Sequence, residues 1–281
     1  MIRKLSQLHR FRLVLLCIGI IFITGINKSV QAQAVIGARE LALGQATSAL
    51  QSTDWSMFGN PAMMSEDERS VSFFGVRYFG LSEITDMAFA GSYPTPIGIL
   101  GAAAHRYGDE LFNENRLRLG YKHSFEGFHF GAILNYSHVA IGGAYGSAGA
   151  LGVDIGLAAA IISDLWIGAK ATNINQPEYG SLNKEKLPRE LSIGLSYQLS
   201  DIALFSSDVM KDVQFPISFR SGVEVTIITN FLARAGVTVN PLTFAGGFGY
   251  SGDHWGVNIA VQRHENKVLG YSPAIDFKIN W

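Results

Sequence analysis

The sequence predicts an all-β chain, a fourteen-stranded antiparallel transmembrane β-barrel with an N-terminal plug, or hatch, in its lumen. Three observations predict it. First, residues 271–281 alternate without fault: Tyr271, Pro273, Ile275, Phe277, Ile279 and Trp281 are apolar, while Ser272, Ala274, Asp276, Lys278 and Asn280 are polar or small. Successive side chains of a strand point to opposite faces, so this segment has one apolar and one wet face, and its length is close to the roughly 9–11 residues that a tilted strand needs to cross a bilayer. Second, similar alternation recurs over residues 70–79, 85–93, 97–107, 113–123, 127–139, 147–161, 165–173, 189–199, 202–209, 215–227, 230–239, 242–250, 254–264 and 269–281. The count is even, as single-chain bacterial barrels require. Third, the chain has 31 glycines, only 16% charged residues and a positive mean hydropathy, yet its one long apolar run lies near the N-terminus. A closed barrel is the other structure that satisfies every backbone group in lipid.

The first element is a leader. Arg3, Lys4, Arg10 and Arg12 precede an apolar run over residues 13–23, and small residues follow up to Ala32-Gln33-Ala34. This is the pattern of a secretory signal peptide over residues 1–34, its apolar run too short to span a membrane. Cys17 lies inside that run behind Leu15-Leu16, without the small residue that lipid attachment requires. Cleavage removes five basic residues and no acidic ones from a chain with 22 Lys+Arg and 23 Asp+Glu, and it removes the single cysteine. The mature chain is therefore acidic and has no disulfide. No basic cluster points to nucleic acid.

The connections support the strand count. Outer-membrane barrels alternate short inner turns with longer external loops. Pro94-Thr95-Pro96, Phe125-Glu126, Ser163-Asp164, Ser200-Asp201, Ile228-Thr229 and Ser251-Gly252-Asp253 are tight, and all follow even-numbered segments. Those after odd segments are longer, residues 174–188 most of all, with Asn240-Pro241 the exception. Parity assigns an apolar outer face, for example Leu191, Ile193, Leu195 and Tyr197 against Glu190, Ser192, Gly194, Ser196 and Gln198. Tyr93, Tyr121, Phe128, Tyr250, Trp255 and Trp281 then form an aromatic girdle at one interface. A soluble sandwich would turn its apolar face inward and expose more charge than this chain possesses.

Residues 35–68 do not alternate and form the predicted plug, ahead of a barrel over residues 69–281. A wide barrel needs something to fill it, and this stretch is too polar for lipid and too poor in large side chains to make its own core. Gly37-Ala38-Arg39, Leu43-Gly44, Ala46, Ala49-Leu50, Asp54-Trp55 and Asn60-Pro61-Ala62 resemble the N-terminal signature of the FadL-like outer-membrane β-barrel superfamily, most closely its PorV/PorQ-type branch. The stretches Ser207–Asp212, Phe219-Arg220, Gly222-Val223-Glu224 and Arg234-Ala235-Gly236 resemble that branch as well. The chain departs from it in Gln45, which replaces a second glycine, and in shorter external loops. A final strand ending on Trp281 also resembles the signal read by the barrel assembly machinery. The resemblance implies a bacterial outer-membrane location and a secretion-associated, type IX-like or partner-binding role. The alternative it offers is FadL-like transport of hydrophobic compounds or long-chain fatty acids.

The expected site residues fall into two sets. The plug motif is Gly37, Arg39, Gly44, Asn60, Pro61 and Ala62. A lumen charge network comprises Arg77, Asp86, Arg116, Arg118, Lys122, Asp154, Lys170, Glu190, Arg220, Glu224, Arg234, Asp276 and Lys278, with Arg39 and Glu40 as plug partners. Enclosed charges persist only when paired or watered, so the network is expected to clamp the plug to the wall. It makes a poor conduit for an acyl chain, although an apolar pocket near Phe58, Met63 and Met64, or a third-strand kink at Gly98 and Gly101, would permit one; the simpler reading of those glycines is that they make room for a crowded plug. The implied partners are outer-membrane lipid, the assembly machinery, and either secretion components, reached through residues 174–188, or a hydrophobic ligand. No cofactor or metal is expected: His129 and His254, both placed in the lumen, lack ligand spacing. Gly247–Gly252 matches G-x-G-x-x-G but precedes a strand rather than a helix. No serine sits in a nucleophile elbow, so no enzymatic activity is expected.

Overall fold

The computed structural model describes residues 36–281 apart from 52, 82, 143–145, 181–184 and 265–269. The predicted leader lies outside the described residues. Period-2 sequence becomes strand throughout: β1 (Ser70–Arg77), β2 (Thr85–Thr95), β3 (Gly98–Gly108), β4 (Phe112–Phe125), β5 (Phe128–Ile141), β6 (Gly146–Ile162), β7 (Leu165–Ala171), β8 (Glu178–Tyr179), β9 (Glu185–Lys186), β10 (Glu190–Ser200), β11 (Ala203–Asp212), β12 (Ser218–Ile228), β13 (Phe231–Val239), β14 (Thr243–Ser251), β15 (Trp255–His264) and β16 (Tyr271–Asn280). All but β8 and β9 form one closed antiparallel barrel of fourteen strands. It closes where β1 meets β16, from Ser70↔Asn280 to Val76↔Ala274. The amide of Trp281 extends that seam by donating to the Arg69 carbonyl at 3.0 Å. Closure leaves no free sheet edge in the barrel.

The two faces separate by chemistry. Phe73, Phe89, Leu117, Leu119, Ile193, Phe248, Ile259 and Ile275 are exposed, whereas Ser72, Asp86, Arg118, Asp154, Ser192, Arg220 and Asp276 are buried. The apolar residues outside and the ionisable ones inside are the reverse of a water-soluble barrel. Register shifts occur at Ala160/Ile162, Gln198/Ser200 and Thr226/Ile228. Each sits beside a short turn, where a bulge bends the strand into its connection. Residues 174–188, expected as a long loop, contain the β8–β9 hairpin, and Leu187 within that loop is buried. No helix among the described residues is long and apolar enough to cross a membrane.

A 3-10 turn, Tyr78–Gly80, follows β1, and residues 36–65 carry α1 (Ala38–Ala42) and short 3-10 turns over Asp54–Met57 and Pro61–Met63. Thr53 and Asn60 cap these turns by accepting from the amides of Trp55 and Ala62. Such caps satisfy donors that a one-turn helix would otherwise leave orphaned. The segment is held by its surroundings, since an isolated helix of this length is unstable in water.

Candidate functional site on the inner face of the barrel

Residues 36–65 run against the inward side chains of nearly every strand. α1 packs on β13–β16, the turn at Asp54–Met57 on β1–β3, and the turn at Pro61–Met63 on β4–β6. Between them, the Gly44 carbonyl accepts from Thr238 of β13 at 2.8 Å and the Ala49 carbonyl from Ser196 of β10 at 2.8 Å.

Close approach depends on cross-strand glycine pairs in the wall. A Cβ at Gly222 or Gly236 would overlap the backbone of Leu43 or Gly44, and these two glycines are register partners. The Gly131↔Gly156 pair likewise lies under Asn60-Pro61-Ala62.

Carboxylates of the wall take up backbone donors that the segment cannot satisfy itself. Asp208 Oδ2 accepts from the amides of Thr47 and Ser48 at 2.9 Å each and from the Ser48 hydroxyl at 2.7 Å. Asp276 Oδ2 accepts from the Ala38 amide at 2.7 Å. In the opposite sense, Asp54 of the segment accepts from Ser70, Ser72 and Ser92 at 2.5, 2.6 and 2.9 Å. Asn60, fully buried, donates to the carbonyls of Ser48 at 2.6 Å and Leu157 at 3.0 Å.

The expected charges distribute as follows. Arg39 meets Glu224 through two hydrogen bonds at 2.8 and 2.9 Å, and Arg234 reaches the same carboxylate at 2.5 Å. Asn258 links Arg234 to Asp276. Arg118 pairs with Asp154, which also accepts from Asn135. Lys122 bonds Glu66 at 2.8 Å and the Met64 carbonyl at 2.7 Å, and Lys278 bonds Glu68 at 3.0 Å. Arg116 pairs with Glu114 on its own strand, and Asp86 contacts His105 of β3. Arg220 donates to the Gln45 carbonyl at 3.5 Å, while Lys170 and Glu190 are buried nearby. Gly37, Gly44, Pro61 and Ala62 are buried against the wall.

Two expectations are corrected. Arg77 is not in the lumen: β1 turns Ser70, Ser72, Phe74 and Val76 inward, so Arg77, sharing parity with Phe73, points outward and is exposed. It can do so because it is the strand's last residue, where a long side chain reaches water. His254 lies in an exposed turn rather than the lumen. His129 is inward, bonded to Glu66 at 2.9 Å. Gly101 follows the simpler of its two readings: β3 pairs without interruption with β2 and β4, and the space above Gly101 is filled by the sulfurs of Met57 and Met64.

The electrostatics of the segment follow from this packing. Burial, then the charge of Asp276, pushes the Glu40 carboxyl up to about 7. Its Oε1 accepts from Thr53 at 2.7 Å, and its Oε2 has no partner. Burial also raises Glu66, but hydrogen bonds from Lys122 and Ser124 and the Lys122 charge outweigh it and hold the carboxyl at about 2.

The interior is divided. Phe74, Val76, Ala88, Ala90, Ile99 and Ala103 of β1–β3 join Ile36, Trp55, Met57 and Met64 in one apolar cluster with Phe58 packed against it. Ionisable groups occupy the rest of the wall: Asp154, Lys170, Glu190, Asp208, Arg220, Glu224 and Arg234 lie on β6–β13, while Asp86 and His105 on β2–β3, Arg118 on β4 and Asp276 on β16 border the apolar cluster. A cavity of about 390 Å³ lies at the short-turn end between Arg39, Gln51, Asp164, Trp166, Gln198 and Glu224. Residue types alone point to Glu224 and Arg234. Asp208, His105, Asp54 and Glu66 were not among the expected site residues, although the inward parity of Asp208 and His105 marks them.

No family model and no curated protein matches the chain. Its fold is nevertheless shared with solved channels. It aligns with the monoaromatic hydrocarbon channel CymD at a TM-score of 0.65 and 12% identity, covering 88% of this chain and 97% of that one. The Pseudomonas putida toluene transporter TodX gives 0.64 and 12%, covering 87% and 98%. The Ralstonia pickettii toluene transporter TbuX gives 0.60 and 16%, covering 87% and 97%. At these identities the likeness is one of fold.

Proposed function

We propose that this chain is a bacterial outer-membrane barrel of the FadL-like kind, its lumen closed by a plug formed from residues 35–68, and that it passes small hydrophobic compounds across that membrane. The observation that carries the reading is the closed fourteen-strand barrel, similar over almost its whole length to channels and transporters named for hydrocarbons. The apolar cluster on β1–β3 supplies the surface such a solute would follow, and hydrogen bonds to strands on both sides of it anchor the plug. Expelling water from an unpaired ionisable group would cost several kcal/mol, and the charged groups that border the apolar cluster are paired, Asp86 with His105 and Arg118 with Asp154. Trp281 serves as the recognition residue for the assembly machinery. The test is uptake of a radiolabelled monoaromatic hydrocarbon by cells with and without the gene. Loss of uptake on deletion, restored by the chain, supports the reading; equal uptake at rate-limiting concentrations sinks it.

A second reading, a non-conducting barrel that serves secretion or another partner through its external loops, is favoured by one observation: the plug is bonded to strands around the whole circumference. Pull-down of a stable outer-membrane assembly, with no change in hydrocarbon uptake on deletion, would select it.

A further inference from the structure

The outward faces of the fourteen strands carry no Asp or Glu at any position. They carry four Arg or Lys residues, Arg77, Arg106, Lys211 and Arg263, all in the half nearer the long connections. Lys211 directs its ammonium to the Phe215 carbonyl at 2.5 Å. The three arginines are exposed, and among the described residues none of them has an ion pair, Glu83 in the neighbouring β1–β2 connection included. They stand on β1, β3 and β15, alternate strands around the closure seam. The outward neighbours on β1–β3, β15 and β16 are apolar or neutral, among them Phe73, Met87, Leu100, Ile259, Val261 and Ile275.

Register places the three at one level. Arg106 faces Met87, which faces Gly75, so it sits two residues nearer the short turns than Arg77. Arg263 faces Tyr271 and Val261 faces Pro273 beside the Val76↔Ala274 pair, so Arg263 sits about two residues nearer the loops. The strand ends step in the same sense: Ile99, near the start of β3, faces Lys122, and β4 runs on to Phe125 before turning. A line of constant height therefore passes through all three. With strands roughly 4.8 Å apart and a rise of roughly 3.3 Å per residue, neighbouring arginines are about 12 Å apart at Cα, within joint reach of one large headgroup.

We propose that this arc is a binding site for a phosphorylated lipid headgroup in the leaflet at the long-loop end, with the three guanidiniums as phosphate ligands. An arginine at the edge of an apolar face, without a carboxylate, is costly unless an anion meets it, and the planar guanidinium matches phosphate bidentately. Acyl chains would lie on the apolar residues below. The proposal rests on the membrane placement above, and one experiment separates the two.

Purified full-length barrel in detergent is titrated with bisphosphorylated lipid A and, in parallel, with its dephosphorylated form, and bound lipid is counted by native mass spectrometry. Phosphate-dependent adducts are expected. The R77Q/R106Q/R263Q variant should weaken them by roughly a hundredfold, about fivefold per interfacial cation, while R77K/R106K/R263K keeps most of the binding. Heat-modifiable gel mobility reports that each variant is folded. A folded barrel whose adducts are equal for both lipid forms, or unchanged in the glutamine variant, overturns the lipid site alone. Inorganic phosphate competing at the lipid's own concentration overturns it too, since the lipid body would then contribute nothing. Protein that never enters micelles overturns the membrane reading first.

Discussion

Replacing Asp208 by Ala should release residues 44–50 from the wall while leaving the barrel closed. Asp208 is 2% exposed and one of its oxygens takes three hydrogen bonds, all from the segment. Hydrogen bonds to a charged group contribute about 1.5–3 kcal/mol each. Their sum is not recovered in full, because the released amides of Thr47 and Ser48 can find water. Against this, Arg220 and Lys170 lose the nearby anion. Removing one member of a buried, bonded charge group typically costs about 3–5 kcal/mol, and that range is expected here. If local opening governs exchange, the Thr47 and Ser48 amides should lose protection by roughly a hundredfold to a few thousandfold. Hydrogen exchange read by mass spectrometry measures this directly, with β-strand peptides as the internal control. Asp208→Asn, which keeps one acceptor, should fall between. Unchanged protection at Thr47 and Ser48 in a folded D208A barrel would refute the reasoning, because the three bonds would then carry no free energy.

Other outcomes follow from the same contacts. Glu40, raised to about 7 from an ordinary 4.5, favours its protonated form when folded, so its contribution is full below the ordinary value and lost as pH rises through about 7. Protection of residues 38–43, corrected for the intrinsic rise of exchange with pH, should therefore fall between about pH 4.5 and 7 and level off above that, and Glu40→Gln should abolish that dependence; a slope that survives the substitution would place its origin elsewhere. Glu66 is depressed to about 2, so its contribution is present above 4.5 and lost as pH falls through about 2. Pepsin should accordingly cut near residue 66 only in strongly acid solution in the native chain but throughout the acid range in Glu66→Ala, and identical cleavage would count against the tether. Gly236→Val would drive a side chain into the Leu43–Gly44 backbone, with an overpacking cost of about 1–3 kcal/mol; the variant should keep its heat-modifiable mobility yet lose exchange protection at residues 43–45.

Much of the fold was legible because the two faces of a strand carry different chemistry, apolar outward and polar inward. Every barrel strand overlaps a segment whose alternation is visible, although β2, β4, β5 and β11 run two or three residues past the segment read from sequence. Inward charge was legible wherever alternation was intact, which is why Glu224, Arg234, Asp154 and Asp276 were found. Arg77 departs from the expectation because it is the last residue of β1, and its outward parity, shared with Phe73, decides its face over its charge. His105, Asp208 and Asp54 were missed for another reason. The inward parity of His105 and Asp208 was visible, but their importance comes from what lies opposite in space: Asp208 faces amides some 160 positions away, and periodicity does not name a partner at that separation. The paired inward glycines, Gly222 with Gly236 and Gly131 with Gly156, were visible as letters. Their function as docking floors depends on register.

The central claim, that the N-terminal segment lies inside a closed barrel against the inner wall, is tested most directly by a cross-link. Ser48 and Ser192 touch through their hydroxyls, and the sequence has no cysteine after Cys17. In the Ser48→Cys/Ser192→Cys protein, isolated with its membrane and mildly oxidised, the account predicts a near-quantitative disulfide between the segment and β10, seen as a mobility shift reversed by reductant. Two free thiols that a membrane-impermeant maleimide labels freely, in a barrel that is otherwise folded, would contradict it.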